Sequence, residues 1–166
     1  MQLSETVEWG LHACLALAMM PDGARIPARA LAEYHGIKPG YFSKAMQKLV
    51  AAGIIQSVEG RSGGLAMAKP AEDVSLLQIV MALEDNTTFF RCTEIRQKGP
   101  CAAAPKHYRT PCNIARVMHK ADAEWRRVLA TTSLADLRLS AAAEPIPGVN
   151  QATQDWLAET GAVRGL

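Results

Sequence analysis

Aromatic residues make up only 5% of the 166-residue sequence, too few for the alternating aromatic and β-branched pattern of a β-sandwich. No apolar run approaches the roughly 18 residues that a membrane-spanning helix needs. The N-terminus carries Glu5 and Glu8 where a secretory leader would carry a basic flank. A soluble, cytoplasmic protein without a membrane partner is therefore expected. Net charge is also scarce: 18 basic against 16 acidic residues leave a formal +2, which by itself selects no partner. The four cysteines contain no C-x2-C pair, the spacing usual in structural zinc sites. A reducing cytoplasm argues against reading their even number as disulfides.

What is plentiful is aliphatic. Hydrophobic residues reach 49%, enough for one medium domain or two small ones, and abundant Ala favours helices. Counted by segment, charge is uneven. From Lys38 to Lys69 five basic residues face one acid, Glu59, and from Arg91 to Arg127 nine basic residues face three acids. Two local basic regions suit a polyanion.

Leu3, Val7, Leu11, Cys14, Leu15 and Ala18 recur at spacings of three and four, which predicts a helix over residues 3–20, ended by Pro21 and Gly23. Cys14 falls in that pattern as a small core residue. A second helix is predicted over 28–34, closed by His35-Gly36. A third opens at Lys38-Pro39-Gly40, with Phe42, Met46 and Leu49 on one face up to Gly53. Residues 54–58 then read as a strand, 59–64 as a turn and 65–68 as an antiparallel return before Pro70. This order describes a mainly α chain with a small β-hairpin, a winged helix-turn-helix whose third helix enters the DNA major groove.

A further helix is predicted over 76–83. Residues 91–111 show no period but contain Cys92 and Cys101, with Cys112 immediately after, and read as a loop with ligands. From Cys112 a long helix follows, its stripe formed by Ile114, Val117, Met118, Ala121, Trp125, Val128 and Leu129. The core left to cover that stripe is small, so a second subunit is expected against it, and two-fold symmetry is what paired DNA half-sites require. The resulting division is a DNA-binding region at 1–70, a ligand loop and dimerisation helix at 71–140, and a flexible tail at 141–166.

These residues resemble the iron-sulfur winged-helix repressor family that includes IscR, NsrR and RsrR, and the RsrR-like redox-sensing branch most. The resemblance runs from residue 1 to about residue 139. It is carried by Tyr41, Leu49, Ala52-Gly53-Ile54, Ser57, Gly60, Gly63-Gly64 and Pro70, and by the stretch from Cys92 to Cys112 with the helix behind it. It implies a homodimeric, DNA-binding transcriptional regulator, a repressor rather than an enzyme. The partners would be a double-stranded DNA operator and a second copy, with no small-molecule substrate.

For DNA, the third helix offers Gly40, Ser43, Lys44 and Gln47, with Lys38, Tyr41 and Lys48 beside them, and the hairpin tip offers Arg61, Ser62 and Gly63. Gln can address adenine bidentately, and Lys can reach guanine acceptors or phosphates. Some relatives carry an Arg before the first wing Gly where this chain has Glu59, an anion that repels phosphate, so either Arg61 takes that work or the operator differs.

Iron-sulfur clusters are held mainly by thiolates, with His on one iron of some 2Fe-2S centres. Cys92 and Cys112 occupy the first and last positions of the family's ligand loop, and Cys112 sits where a helix N-terminus favours a thiolate. Cys101 lies nine residues after Cys92 and eleven before Cys112, wider than in relatives with three cysteine ligands. Glu8 and His12, four apart, share one helix face. The resemblance gives them the role of non-cysteine ligands from the partner's first helix, completing a 2Fe-2S site in preference to 4Fe-4S. His107 is the spare ligand. Trp9, about 100 degrees around the helix from Glu8, is the expected redox switch, tilting the recognition helix as its ring moves. Three alternatives stand beside this reading. They are a 4Fe-4S nitric-oxide or cluster-status sensor on Cys92, Cys101 and Cys112, a zinc or thiol-switch regulator without iron, and an enzyme using Cys112 and His107 as nucleophile and base.

Overall fold

The computed structural model describes residues 3–60, 62–85 and 88–163. Helix α1 spans Glu5–Ala18, its first turn carrying Glu5 and Glu8 against the positive end of the helix dipole. Its buried face is Val7, Gly10, Ala13, Cys14, Leu17 and Ala18, with Leu11 and Leu15 half-buried at the edge. Helix α2, Ala28–Tyr34, ends at His35 and at Gly36, whose φ of 67° only glycine adopts without strain. Helix α3, Pro39–Ala51, begins with Pro in its first turn and buries Phe42, Ala45, Met46 and Leu49.

Strand β1, Ile55–Val58, pairs antiparallel with β2, Gly64–Met67, in the register Ile55 to Met67 and Val58 to Gly64. The hairpin does not hang free. Ile26 and Leu65 exchange two backbone hydrogen bonds, at 3.0 and 2.8 Å, so the segment before α2 forms a third edge of the wing. Gly64 permits this approach, because a Cβ there would stand 2.8 Å from the Ile26 carbonyl carbon.

Helix α4, Leu76–Leu83, starts with a reciprocal capping box between Ser75 and Gln78 and buries Leu76, Ile79, Val80 and Leu83. Gly10 lets α1 and α4 cross closely, since a Cβ there would run into Leu83. Helices α1, α3 and α4, the first strand and the loop before α2 enclose the core, in which Phe42, Leu31, Met46, Leu49 and Ile54 are sealed.

The long helix expected from Cys112 is present, and a further helix that the sequence reading did not single out follows it. Helix α5 spans Asn113–Thr131 and α6 spans Leu134–Ala143, separated where Ser133 caps α6 with Asp136. Backbone bonds from Leu76 to Thr132 and from Leu134 to Val74 pin that break to the start of α4, a tertiary tie that helical periodicity does not register. The seven-residue stripe of α5 also divides. Met118, Trp125 and Leu129 are half-covered beside the buried Ala115, whereas Ile114, Val117, Ala121 and Val128 face outward. Ile114 is 69% and Val117 66% exposed.

The flexible tail expected at 141–166 instead carries helix α7, Val149–Thr160. Its Trp156 and Leu157 lie against the core, Ala162 is buried, and Thr153 meets the Tyr34 hydroxyl at 2.9 Å. The Trp156 and Tyr34 rings are 5.2 Å apart. The weak apolar patch at Trp156 and Leu157 thus finds an aromatic seat on the end of α2.

Candidate nucleic-acid interface and metal-ligand residues

The outer face of α3 follows from its buried one. With Phe42, Ala45, Met46 and Leu49 turned inward, Gly40, Lys44 and Gln47 fall at helical spacing on the opposite side and are exposed, as are Lys38 at the N-cap and Tyr41. Tyr41 is 62% exposed, far above what an unpaired aromatic in a core would show, and Ser43 is half-buried at the border. At Gly40 a Cβ would meet nothing within 4 Å, so glycine there leaves room for a close neighbour rather than filling a packing need. In the wing, Ser62 is exposed but Gly63 is buried, and its Cβ would collide with the Val58 carbonyl. Gly63 therefore shapes the turn, its N–H donating to Gly60 at 3.0 Å. Arg61 lies outside the described residues.

Lys48 is exposed on the same helix but engaged. Its ammonium donates to the Leu83 carbonyl at 3.1 Å and to Asp85 Oδ1 at 2.7 Å. The expected DNA contact is thus turned along the molecule, toward the end of α4.

Glu8 and His12 are both exposed on α1. Cys112 caps α5, its sulfur accepting the Ala115 N–H at 3.2 Å, a geometry suited to an anionic sulfur. Cys92 and Cys101 are exposed and free. Among the described residues no three His, Cys, Asp or Glu side chains converge within one chain to hold a metal ion. The donor chemistry nevertheless fits an iron-sulfur centre: thiols at both ends of the loop, Cys92 exposed and Cys112 half-buried at a helix N-terminus, and a carboxylate with an imidazole on one accessible face. His107 lies in a short 3-10 turn, Pro105–His107, and is exposed. The thiol of Cys14 is different in kind, sealed in the core and pushed up to about 12 by burial.

The loop between the cysteines has an order that periodicity could not show. Glu94, in a left-handed conformation at φ 50°, clasps the Arg96 guanidinium with both oxygens, at 2.5 and 2.9 Å. Arg96 also donates to the Thr110 carbonyl at 3.1 Å and stacks 5.2 Å from the centre of the Tyr108 ring. The Tyr108 hydroxyl donates to the Arg96 carbonyl and accepts the Ala103 N–H, both at 2.8 Å. The hydrogen bond from Arg96 holds the Glu94 carboxyl below the usual carboxylate range, and the guanidinium is held charged chiefly by Glu94, with Cys112 and Tyr108 adding to it. A cation is thereby fixed close to one of the candidate thiolates.

Trp9 is half-buried and borders an open groove with Glu5, Glu8, His35, Lys38 and Tyr41. The expected switch thus lies between the candidate ligands on α1 and the start of α3. His35, at the end of α2, joins the two sides: its ring is 5.9 Å from that of His12 and 6.5 Å from Phe42, and its Nε2 is buried without a hydrogen-bond partner. Burial lowers the His35 pKa, and the nearby His12 lowers it further. The neutral ring is the folded form, so the unfolded chain takes up the proton first. Stability is then full above about pH 6.5 and is lost as pH falls through that value toward the depressed one. Thermal melts of cluster-free protein should show a steeper fall between about pH 7 and pH 5 for wild type than for His35→Gln. Identical slopes would show that the ring carries no such linkage.

Three features of the site went unread in the sequence: the turning of Lys48, the Arg96 clasp and the position of His35. Lys48 and His35 meet partners distant in the chain, and the Arg96 clasp joins its near neighbour Glu94 to Tyr108 and Thr110 more than ten residues on. Only the Arg96 clasp left a trace, in the clustering of Glu94, Arg96 and Tyr108 inside the loop.

Comparison with known proteins bears on the whole of this arrangement. The family profile described as "Rrf2: Iron-dependent Transcriptional regulator" matches residues 3–138. Over 140 residues, 84% of this chain and 90% of the relative, the sequence is 28% identical to the HTH-type transcriptional regulator NsrR of Shouchella clausii. The structure of CymR, the global cysteine regulator of B. subtilis, superposes with a TM-score of 0.69 at 17% identity, covering 84% of this chain and 98% of that one. IscR of T. potens gives a TM-score of 0.67 at 22% identity, covering 91% and 96%. The structural likenesses establish the winged-helix fold.

Proposed function

Because the chain belongs to the Rrf2 family of transcriptional regulators, we propose that it is a cytoplasmic, homodimeric repressor whose DNA binding is set by the redox state of a 2Fe-2S cluster. Cys92 and Cys112 of one subunit and Glu8 and His12 of the other hold that cluster. The observation that carries this reading is the division of the donors. Two lie on α1 and two at the ends of the 92–112 loop, all at least partly accessible, and among the described residues they do not converge within one chain. The outward stripe of Ile114, Val117, Ala121 and Val128 begins one residue pair after Cys112, so a helix pairing along it brings a second chain to the thiols.

The cluster, when bound, supplies a one-electron couple, and a carboxylate and an imidazole in place of two thiolates make the centre less anionic and raise its potential. The protein's part is to hold the donors, give the Cys112 sulfur a hydrogen bond from the Ala115 N–H, and place Trp9 where a change of charge at Glu8 and His12 is felt. Trp9 borders the groove that leads to Lys38 and Tyr41, which is the route by which its movement tilts α3. A Trp9→Ala protein whose DNA affinity still follows the cluster's oxidation state in full would remove that role. Cys101 and His107 are spare donors without an assigned part.

On DNA, Gln47 and Lys44 read bases or phosphates in the major groove, Gly40 and Tyr41 approach the backbone, and Ser62 with Arg61 reaches the neighbouring groove. Gln47→Ala should weaken binding to a selected operator by about 1–3 kcal/mol while leaving the salt dependence unchanged, and Lys44→Ala should lower the slope of log affinity against log salt by about one. Filter binding at several salt concentrations separates the two. The decisive experiment is iron and sulfide quantification, sedimentation, and DNA binding of oxidised and reduced protein, all prepared without oxygen. Iron-free or monomeric material, or equal DNA affinity in both oxidation states, would overturn the proposal.

A further inference from the structure

The end of α4 gathers two attachments from opposite sides. Glu84 Oε1 accepts the backbone N–H of Ser4 at 2.6 Å, at the start of α1, and Lys48 reaches from the recognition helix to the Leu83 carbonyl and to Asp85. Three consecutive residues, 83–85, thus touch the helix that carries Glu8 and His12 and the helix that faces DNA, and Cys92 follows seven residues beyond Asp85. The last carbonyls of a helix lack intrahelical partners and lie at the negative end of its dipole, so an ammonium is the natural group to satisfy one of them.

The pair adds little to the fold itself. The Lys48 and Asp85 side chains are 43% and 92% exposed, a setting in which an ion pair contributes at most a small stabilisation. Lys48 also gives up the outward position in which it would meet a phosphate. What the arrangement supplies is a connection: α3 is tethered to the corner from which the chain leaves for the ligand loop.

We propose that Lys48 is a positioning residue that couples the start of α1, the helix that carries Glu8 and His12, to the recognition helix through the Leu83–Asp85 corner, and is not a DNA contact. The proposal rests on the cluster-dependent regulator described above. A displacement at the start of α1 moves residues 83–85 through the Ser4 to Glu84 bond, and the ammonium, held by two acceptors on that corner, carries the displacement into the last turns of α3. Coupling between two sites requires an element that both bias, and this corner is in contact with the start of α1 and with α3.

The test uses full-length Lys48→Met and Asp85→Asn proteins, loaded with cluster without oxygen, and a duplex selected from random DNA by the wild type. Affinity is measured for oxidised and reduced protein over a range of salt concentrations, together with amide exchange in cluster-free protein. Both variants should keep the wild-type melting behaviour and salt slope. In both, the ratio of affinities between the two oxidation states should fall to within about two-fold of one, with the double variant no more affected than either single one. Amides at the C-terminal end of α3 should exchange faster in both. The proposal is overturned if Lys48→Met weakens DNA binding equally in both oxidation states and lowers the salt slope by about one while Asp85→Asn does not, the signature of a phosphate contact. It is also overturned, with the cluster reading intact, if both variants keep the wild-type ratio. A wild type with no difference between oxidation states would remove both.

Discussion

Cys112→Ala protein purified without oxygen should be colourless, with neither iron nor acid-labile sulfide above background. The same loss is expected for Cys92→Ala, Glu8→Ala and His12→Ala, whereas Cys101→Ala should retain the visible absorption of the wild type. Cys112 is the most demanding of these positions, because its sulfur is the proposed cluster ligand and also the cap of α5, accepting the Ala115 N–H. Cys112→Ser separates the two roles: a hydroxyl restores a cap, typically about 1 kcal/mol of helix stability, but is a poor match for iron. Restored melting temperature with absent iron would assign the cluster role to the thiolate itself. Retention of a full complement of iron and sulfide in either the Cys112 or the Glu8 variant would sink the ligand assignment, and loss in the Cys101 variant would return the three-thiolate reading.

Phe42→Ala should cost about 3–5 kcal/mol of folding stability, a large part of the roughly 5–15 kcal/mol available to a domain. Phe42 is fully sealed beneath α3 and belongs to the same buried cluster as Leu31, Met46 and Leu49. Its ring also stands 6.5 Å from that of His35, so truncation opens a void directly under the helix turned toward DNA. Denaturant titration of cluster-free protein should show a lowered midpoint, and DNA binding should be lost at temperatures where the wild type still binds. A loss below about 1 kcal/mol would mean that the neighbouring side chains collapse into the space. Phe42→Leu, which keeps most of the volume, should lie between the two.

Much of the fold was legible where local signals and packing agree. Helix α2 and α4 have the predicted bounds, residues 28–34 and 76–83, because Pro27, Gly36 and the Ser75 capping box act within a few residues of what they delimit. In the hairpin, β1 starts one residue later than expected and ends where expected, and β2 lies one residue earlier. Cys14 was readable as core because it lies in an unbroken three-and-four spacing. What the sequence hid depends on distance along the chain. The Ile26 to Leu65 pairing is a single bridge with no period of its own. The break after α5 is set by α4, although Ser133 and Asp136 do spell a local cap. Of the candidate site, the shared face of Glu8 and His12 could be read directly, since four residues make a helical turn. The turning of Lys48 could not, because its partner lies 37 residues away.

The ligand loop is stitched by a guanidinium, a carboxylate and a phenol, with no buried apolar side chain of its own between Arg91 and Pro111. Attractions among exposed charges fade as ions accumulate in solution, while oily interiors tighten. The two ends of this molecule therefore answer to different solvents: concentrated electrolyte loosens the segment that would carry the metal and leaves the scaffold beneath α3 firm.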